Sequence, residues 1–331
     1  MGSGSRQTHA ATMPPEQFYC LLDELPLHLI TRRQLDFYLP HDRADQPLFL
    51  NPECSILSAG QVPPELEPLR HSVNNFCLKG TVAWVRDPVA GSVQPFLLGP
   101  RLQAVVASLR PDEPVAASLP PDVQSVLAAA GILTTAEHSE RRISEWREVA
   151  ARSAVTFREK EYVPIGSLLH PFQVAALRRY YRCAIRRGAI SLGDHQSARR
   201  YVAYNDSVAR FFHYQLANAV SAVVGEAIKP SYVYFASYLG GAELKKHTDR
   251  AQCEFSVTLC LDFSPEPILA TPWPIRLETP QGTVAVYQAL GDGLVYRGTQ
   301  VPHYRERLRE GFTSTSIFFH YVPAGFSGSL D

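Results

Sequence analysis

The chain has 331 residues, enough for an enzyme core with an appended unit, since single hydrophobic cores stop growing near ~250–300 residues. Lysine plus arginine and aspartate plus glutamate are equal at 32 each and charged residues make up only 19%, a balance that argues against nucleic acid as a partner. No run approaches the ~18 apolar residues of a membrane span and the N-terminus carries no apolar signal stretch, so a soluble, cytoplasmic protein with no membrane partner is expected.

Residues 1–14, rich in Gly, Ser and Thr, read as a disordered tail, and Pro14-Pro15-Glu16 open a first helix through Leu22. Residues 15–155 are expected as an N-terminal accessory domain. Within it, 81–85 and 93–98, separated by Asp87-Pro88 and Ala90-Gly91, read as a hairpin. Two short helices follow, 100–109 and 121–130, with Gly131 as a C-terminal cap. A hairpin with short helices gives a small α+β module of winged-helix-like pattern. It resembles the leader-peptide-binding modules attached to enzymes that modify ribosomally made peptides, a pattern that a plain scaffold domain would share.

Over 139–160, Ile143, Trp146, Val149 and Ala150 fall at helical spacing among Arg and Glu, a charged helical linker. A helix over 171–187 buries Phe172, Ala176, Leu177, Tyr180, Ala184 and Ile185 on one face. Its other face carries Arg178, Arg179, Arg182, Arg186 and Arg187. Such a stripe could receive an acidic substrate, but a charge run on an amphipathic helix is usually its solvated side. Asp206 or Ser207 then caps a helix running to Gly225, with Val208, Phe212, Leu216, Ala219 and Val223 inward.

From Pro230 the pattern turns to β: 231–239, 243–249, 255–263, 275–279, 283–287 and 294–296, with the proline-rich stretch 265–274 as an edge or loop. A last hairpin is read over 301–307 and 312–322. About eight short strands bounded by turns fit a jelly roll, two sheets enclosing a small polar site. The six cysteines, at 20, 54, 77, 183, 253 and 260, form no Cys-x-x-Cys pair and are expected as reduced, mostly buried thiols. Cys253 and Cys260 flank one of these strands; a second metal site there is conceivable, although free cysteine more commonly behaves as a small core hydrophobe.

Residues i and i+2 of a strand share a face, so His247 and Asp249, in Lys246-His247-Thr248-Asp249-Arg250, can grip one ion together. His303, in Val301-Pro302-His303-Tyr304-Arg305, is the third candidate ligand. Two His and one carboxylate bind Fe(II) and leave open positions for a co-substrate and O2. His195, His213 and His320 are set aside: the first lies in a polar loop, the second in an amphipathic helix, and the third on the outer face if Thr313, Thr315, Ile317 and Phe319 point inward.

On these residues the segment from Leu168 to Pro323, about half the chain, resembles the catalytic core of Fe(II)/2-oxoglutarate-dependent dioxygenases. It is most similar to the prolyl-4-hydroxylase-like group, through the order Tyr238-Leu239-Gly240-Gly241, His247-Thr248-Asp249, Gly291-Asp292-Gly293 and Pro302-His303. The resemblance implies a double-stranded β-helix over 156–331 preceded by helices, Fe(II) held by His247, Asp249 and His303, 2-oxoglutarate as co-substrate, and O2. Halogenases of this superfamily lack the carboxylate, so a chain that keeps Asp249 reads as a hydroxylase or desaturase.

One position departs from the group. A Lys or Arg about ten residues past the distal His binds the far carboxylate of 2-oxoglutarate there, and here Thr313 stands in its place, able to donate a hydrogen bond but no charge. Arg305, sharing a strand face with His303 and expected diagonal to Thr313, is the preferred substitute, because a guanidinium fork suits a carboxylate. Arg309 is the reserve and Arg297 a third option, while Tyr238 could add a hydrogen bond. The expected function is a dioxygenase hydroxylating an amino-acid residue of a peptide or a small natural product, with the N-terminal domain recruiting substrate or making homodimer contacts. The competing expectation is a non-catalytic, metal-holding jelly roll acting as a sensor or binding module.

Overall fold

A computed structural model describes residues 17–24, 38–40, 47–88, 91–116 and 119–331. The expected tail lies outside them, as does the start of the first expected helix. From residue 17 the chain is extended instead, with Phe18 bridged to Phe76 and Leu21 to Leu97, and only Leu22–Glu24 form a 3-10 turn. The pairing decides the matter: Phe18, Cys20 and Leu22 alternate into the core at two-residue spacing, which suits an extended segment and not a helix.

Strand β1 (Phe49–Leu50) precedes β2 (Cys54–Leu57), and a ten-residue 3-10 segment, Pro64–Val73, leads to β3 (Val82–Arg86) and β4 (Val93–Leu97). The expected hairpin forms, Val82 facing Leu97, and β2 extends it to three antiparallel strands. Helices α1 (Pro100–Ser108) and α2 (Pro121–Ala129) start on proline, whose missing N–H costs nothing in the first turn. Gly131 closes α2 with φ +73°, its N–H bonded to the Ala128 carbonyl. Strand β5 (Leu133–Thr134) pairs with β1.

Helix α3 (Ala136–Lys160) is capped by the Thr135 hydroxyl, which accepts from the His138 N–H at 3.1 Å. It runs through residue 155, so the expected domain boundary falls inside a helix. After β6 (Tyr162–Ile165) come α4 (Pro171–Arg186), β7 (Ser191–Leu192), β8 (Arg200–Tyr204) and α5 (Ser207–Val224). Asp206 is the N-cap of α5, accepting from the Ala209 N–H, and Gly225 is its left-handed C-terminal cap.

The remaining strands are β9 (Ile228–Leu239), β10 (Leu244–His247), β11 (Phe255–Ser264), β12 (Ile275–Thr279), β13 (Gly282–Val286), β14 (Gly293–Arg297), β15 (His303–Arg305) and β16 (Thr313–Pro323). They form two antiparallel sheets, one in the order β6-β14-β11-β16-β9-β8-β7 and one in the order β10-β15-β12-β13. From β9 to β16 the chain passes back and forth between the sheets, the winding expected of a jelly roll. The fold is thus a mixed helix-and-strand one built mainly on antiparallel pairs.

One expected hairpin does not form. β15 pairs with β10 and β12, whereas β16 lies between β11 and β9 in the other sheet. The inward set of β16 is likewise reversed. Ile317, Phe319 and Tyr321 belong to the core shared with α4 and α5, while Phe318 packs with Tyr238 and Trp273 on the opposite face. Both faces of this central strand are buried, so hydrophobic alternation carries no sign of which is which.

The helix-facing core continues into the N-terminal part without a break. Phe18, Phe76 and Trp84 meet Phe211 and Phe212 of α5, Gln215 accepts from the Val93 N–H at 2.7 Å, and Gln173 of α4 donates to the Pro95 carbonyl at 2.8 Å. The basic face of α4 is only partly solvated: Arg178 and Arg182 grip Asp262 at 3.0 and 2.5 Å, and Arg178 also reaches Glu266 at 2.7 Å. All six cysteines are free, but only Cys20, Cys253 and Cys260 are buried. Among the described residues no helix is long and apolar enough to cross a membrane.

Candidate metal centre

Antiparallel pairing places His247 directly opposite His303. Just past β10 the chain turns, and the Asp249 N–H bonds the Gly298 carbonyl at 2.8 Å, which anchors the aspartate beside the end of β14. As a result the three candidate ligands meet: Asp249 Oδ1 lies 3.7 Å from His247 Nε2 and 3.6 Å from His303 Nε2, and the two rings are 4.4 Å apart. Atoms at such separations can share one ion at the ~2.0–2.2 Å ligand distances usual for imidazole and carboxylate. His303 and Asp249 are 3% and 13% exposed and His247 is 31% exposed, so the group opens to solvent on the His247 side.

Both rings are prepared to coordinate through Nε2. His247 Nδ1 donates to the Lys245 carbonyl at 2.8 Å and His303 Nδ1 to the Val301 carbonyl at 3.0 Å; a carbonyl can only accept, so the proton sits on Nδ1 and Nε2 keeps its lone pair, which in His303 the Tyr296 hydroxyl approaches at 3.4 Å. Burial pushes the His303 pKa below its ordinary value, which favours the neutral ring a metal requires, although the Asp249 charge pulls the other way.

Asp249 is held from behind. Ser256 on β11 donates to Oδ2 at 2.7 Å, and with its one proton so used it accepts from His320 Nδ1 at 2.9 Å. His320, expected on the outer face, is therefore buried behind the carboxylate, and burial lowers its pKa to about 4. Gly298 explains how the carboxylate fits: a Cβ there would stand 2.4 Å from Asp249 Oδ2, 2.5 Å from the Cys253 carbonyl oxygen and 2.6 Å from Ser256 Oγ. Ser256, His320 and Gly298 had no motif to single them out; the reversed faces of β16 concealed the second, and close approach to a neighbouring segment is invisible in a lone Gly.

Arg305 is 4% exposed, stacked on the Trp273 ring at 4.8 Å, with Nη1 donating to the Trp273 carbonyl at 2.6 Å. Its Nε is buried with no hydrogen-bond partner, and among the described residues no carboxylate forms an ion pair with it. Burial lowers its pKa, offset in part by Tyr238, Cys260 and Tyr296. A buried cation with an orphaned donor, two residues beyond His303 on the same face of β15, has the chemistry to receive an anion.

The other sequence candidates for that anion are placed elsewhere. Thr313 pairs with Leu239 and Ser264 in the large sheet and alternates to the opposite face from Phe318 and His320, so it is not diagonal to Arg305 across a hairpin. Arg309 is exposed in the β15–β16 turn over the Phe312 ring. Arg297 is taken by Glu254 at 2.6 Å. Tyr238 is buried on the inner face, edge-on to Trp273, with its hydroxyl accepting from Arg200 at 3.1 Å.

No protein-family model matches this chain, and no curated protein matches it. Solved structures do resemble part of it. One is SnoN, a non-haem α-ketoglutarate-dependent epimerase from nogalamycin biosynthesis, 13% identical over 54% of this chain and 83% of that one, with a TM-score of 0.44. A Pseudomonas putida prolyl-4-hydroxylase is 16% identical over 53% of this chain and 100% of its own, with a TM-score of 0.43. HygX from Streptomyces hygroscopicus, solved with nickel, 2-oxoglutarate and hygromycin B, is 13% identical over 53% of this chain and 88% of its own, with a TM-score of 0.42.

Proposed function

We propose that this chain is an Fe(II)- and 2-oxoglutarate-dependent dioxygenase that hydroxylates an amino-acid residue of a peptide or a small natural product. The observation that carries the reading is the pairing of two elements: the donor atoms of His247, Asp249 and His303 converge, and Arg305 is buried beside them with no ion-pair partner among the described residues. The donor set suits a ferrous ion, being neutral imidazoles with one carboxylate, and it leaves coordination positions for a 2-oxo acid and O2. When bound, that ion would supply the redox chemistry that couples decarboxylation of the 2-oxo acid to oxygenation of the substrate.

The protein's own part is positional and electrostatic. The Lys245 and Val301 carbonyls fix the tautomers of the two ligand rings, and Ser256 with His320 keeps Asp249 from rotating. Arg305 would take the far carboxylate of the 2-oxo acid, an acceptor of the charge that its buried guanidinium lacks. Tyr238, Trp273 and Phe318 wall that side with apolar surface, so few waters compete for the guanidinium. Recruitment of substrate by the N-terminal part, whose sheet rests on α4 and α5, belongs to the same reading.

Anaerobic titration with Fe(II) and 2-oxoglutarate tests it. The expected result is a visible metal-to-ligand charge-transfer band, followed in air by succinate release. A protein that binds the ion but gives neither band nor succinate is a binding module, and the proposal fails.

A further inference from the structure

Behind the first group lies a second cluster of donors, in which Asp249 and His320 are joined by Cys253, a residue without a part in the reading above. The 3-10 turn Ala251–Cys253 follows Asp249 directly and returns the Cys253 side chain to the carboxylate, while β16 brings His320 from the far side. One ligand atom each of Asp249, Cys253 and His320 lie within 4.8 Å of one another, and both Cys253 and His320 are buried. The two carboxylate oxygens divide the work. Oδ1 faces the Nε2 atoms of His247 and His303, whereas Oδ2 faces Ser256 on the His320 side, so an ion entering there would replace the Ser256 hydrogen bonds to Oδ2 and His320 Nδ1, with the His320 proton moved to Nε2.

The chemistry of the two sets differs. A thiolate with an imidazole and a carboxylate is a donor set for borderline-soft ions such as Zn2+, which take S, N and O ligands in a four-coordinate shell. The Tyr232 hydroxyl lies 2.9 Å from Cys253 Sγ. Arg250, bonded to the same Tyr232 hydroxyl at 3.2 Å, favours the thiolate over the thiol, although its charge opposes an added cation. Burial and Asp249 oppose the thiolate, so an ion must displace the thiol proton on entering.

We propose that Asp249, Cys253 and His320 form a second cation site of zinc-class preference, sharing Asp249 with the His247–His303 group. Cobalt(II), added to the reduced, metal-free full-length protein, is the probe, because thiolate ligation gives a near-ultraviolet sulfur-to-cobalt charge-transfer band that imidazole and carboxylate cannot. The expected result is that band in the wild type, its loss in Cys253→Ser, a weakened cobalt affinity of at least about 10-fold in His320→Gln, and its retention in His303→Ala. Cobalt bound to Cys253→Ser through the first group, without the band, shows that this variant is folded. Absence of the band in the wild type, or its survival in Cys253→Ser, overturns the proposal. A band with no response to 2-oxoglutarate in the presence of Fe(II) would instead leave this site standing and remove the dioxygenase reading.

Discussion

At the residue scale, the candidate centre depends on small atoms as much as on its ligands. Gly298 makes room for the Asp249 carboxylate, and a methyl group there would meet Oδ2 at 2.4 Å with backbone and Ser256 on its other sides. Gly298→Ala is therefore expected to weaken Fe(II) binding by about 10–100-fold, the scale of outer-layer changes at metal sites, with the far-ultraviolet spectrum unchanged. Equal iron affinity in a metal titration would show that Asp249 is not a ligand. Arg305→Gln keeps much of the side-chain volume and removes the charge, so 2-oxoglutarate affinity should fall by ~10-fold or more, as for loss of a charge-assisted hydrogen bond of roughly 1.5–3 kcal/mol, while Fe(II) affinity stays. An unchanged 2-oxoglutarate affinity would move the anion site elsewhere. Two-residue spacing singled out His247 with Asp249 and His303 with Arg305 as candidates; the second pair does share strand β15, whereas Asp249 lies past the end of β10 and is set beside His247 by its N–H bond to the Gly298 carbonyl. Thr313 was misplaced for a related reason: its strand is buried on both sides, and periodicity then offers no sign of which face meets the site.

At the element scale, the helices from residue 100 onward were legible to within a few residues because their ends carry chemical signals, whereas the helix expected to end at Leu22 is an extended segment from residue 17. Proline opens α1, α2 and α4, Asp206 caps α5, and Gly131 and Gly225 close helices in the left-handed region. Asp206 also accepts from the hydroxyls of Tyr180 and Tyr181, at 3.0 and 2.9 Å, tying α5 to α4. Asp206→Ala should thus cost more than the ~1 kcal/mol of a lone cap, read as a lowered midpoint in urea unfolding; a loss well below that would deny the tyrosine bonds any weight. From Pro230 onward strand existence was equally plain, but strand partnership was not, and the short strands β1, β2 and β5 to β8 carried no pattern that marked them. β15 and β16 follow one another with a turn between and still enter different sheets, since partners are chosen by the closure of the whole barrel rather than by the nearest turn.

At the scale of the molecule, one apolar cluster joins the N-terminal part to the helices over the large sheet. Phe211, fully buried against Phe76 and Trp84, sits at that junction, and Phe211→Ala should destabilise by roughly 3–5 kcal/mol in a single unfolding transition. Two separated transitions would mean that the parts fold independently. Stability should also be acid-sensitive. Burial lowers the pKa of His170 to about 4, of His213 to about 3 and of His320 to about 4, below the ordinary 6.5 that the unfolded chain retains. Between those values the unfolded state binds more protons, so the contribution of these rings is complete above pH 6.5 and declines as pH falls toward 4. A urea midpoint that stays level over that window would contradict their neutral burial. The sequence by itself determined the main helices from residue 100, the succession of strands from Pro230, the caps that bound the helices and the ligand-type residues, because propensity, capping and two-residue alternation are local properties. Only the tertiary structure decided which face of β16 meets the site, that Ser256, His320 and Gly298 stand behind Asp249, and that Arg305 is buried without a counter-charge, because burial and close approach are set by segments far apart in the chain.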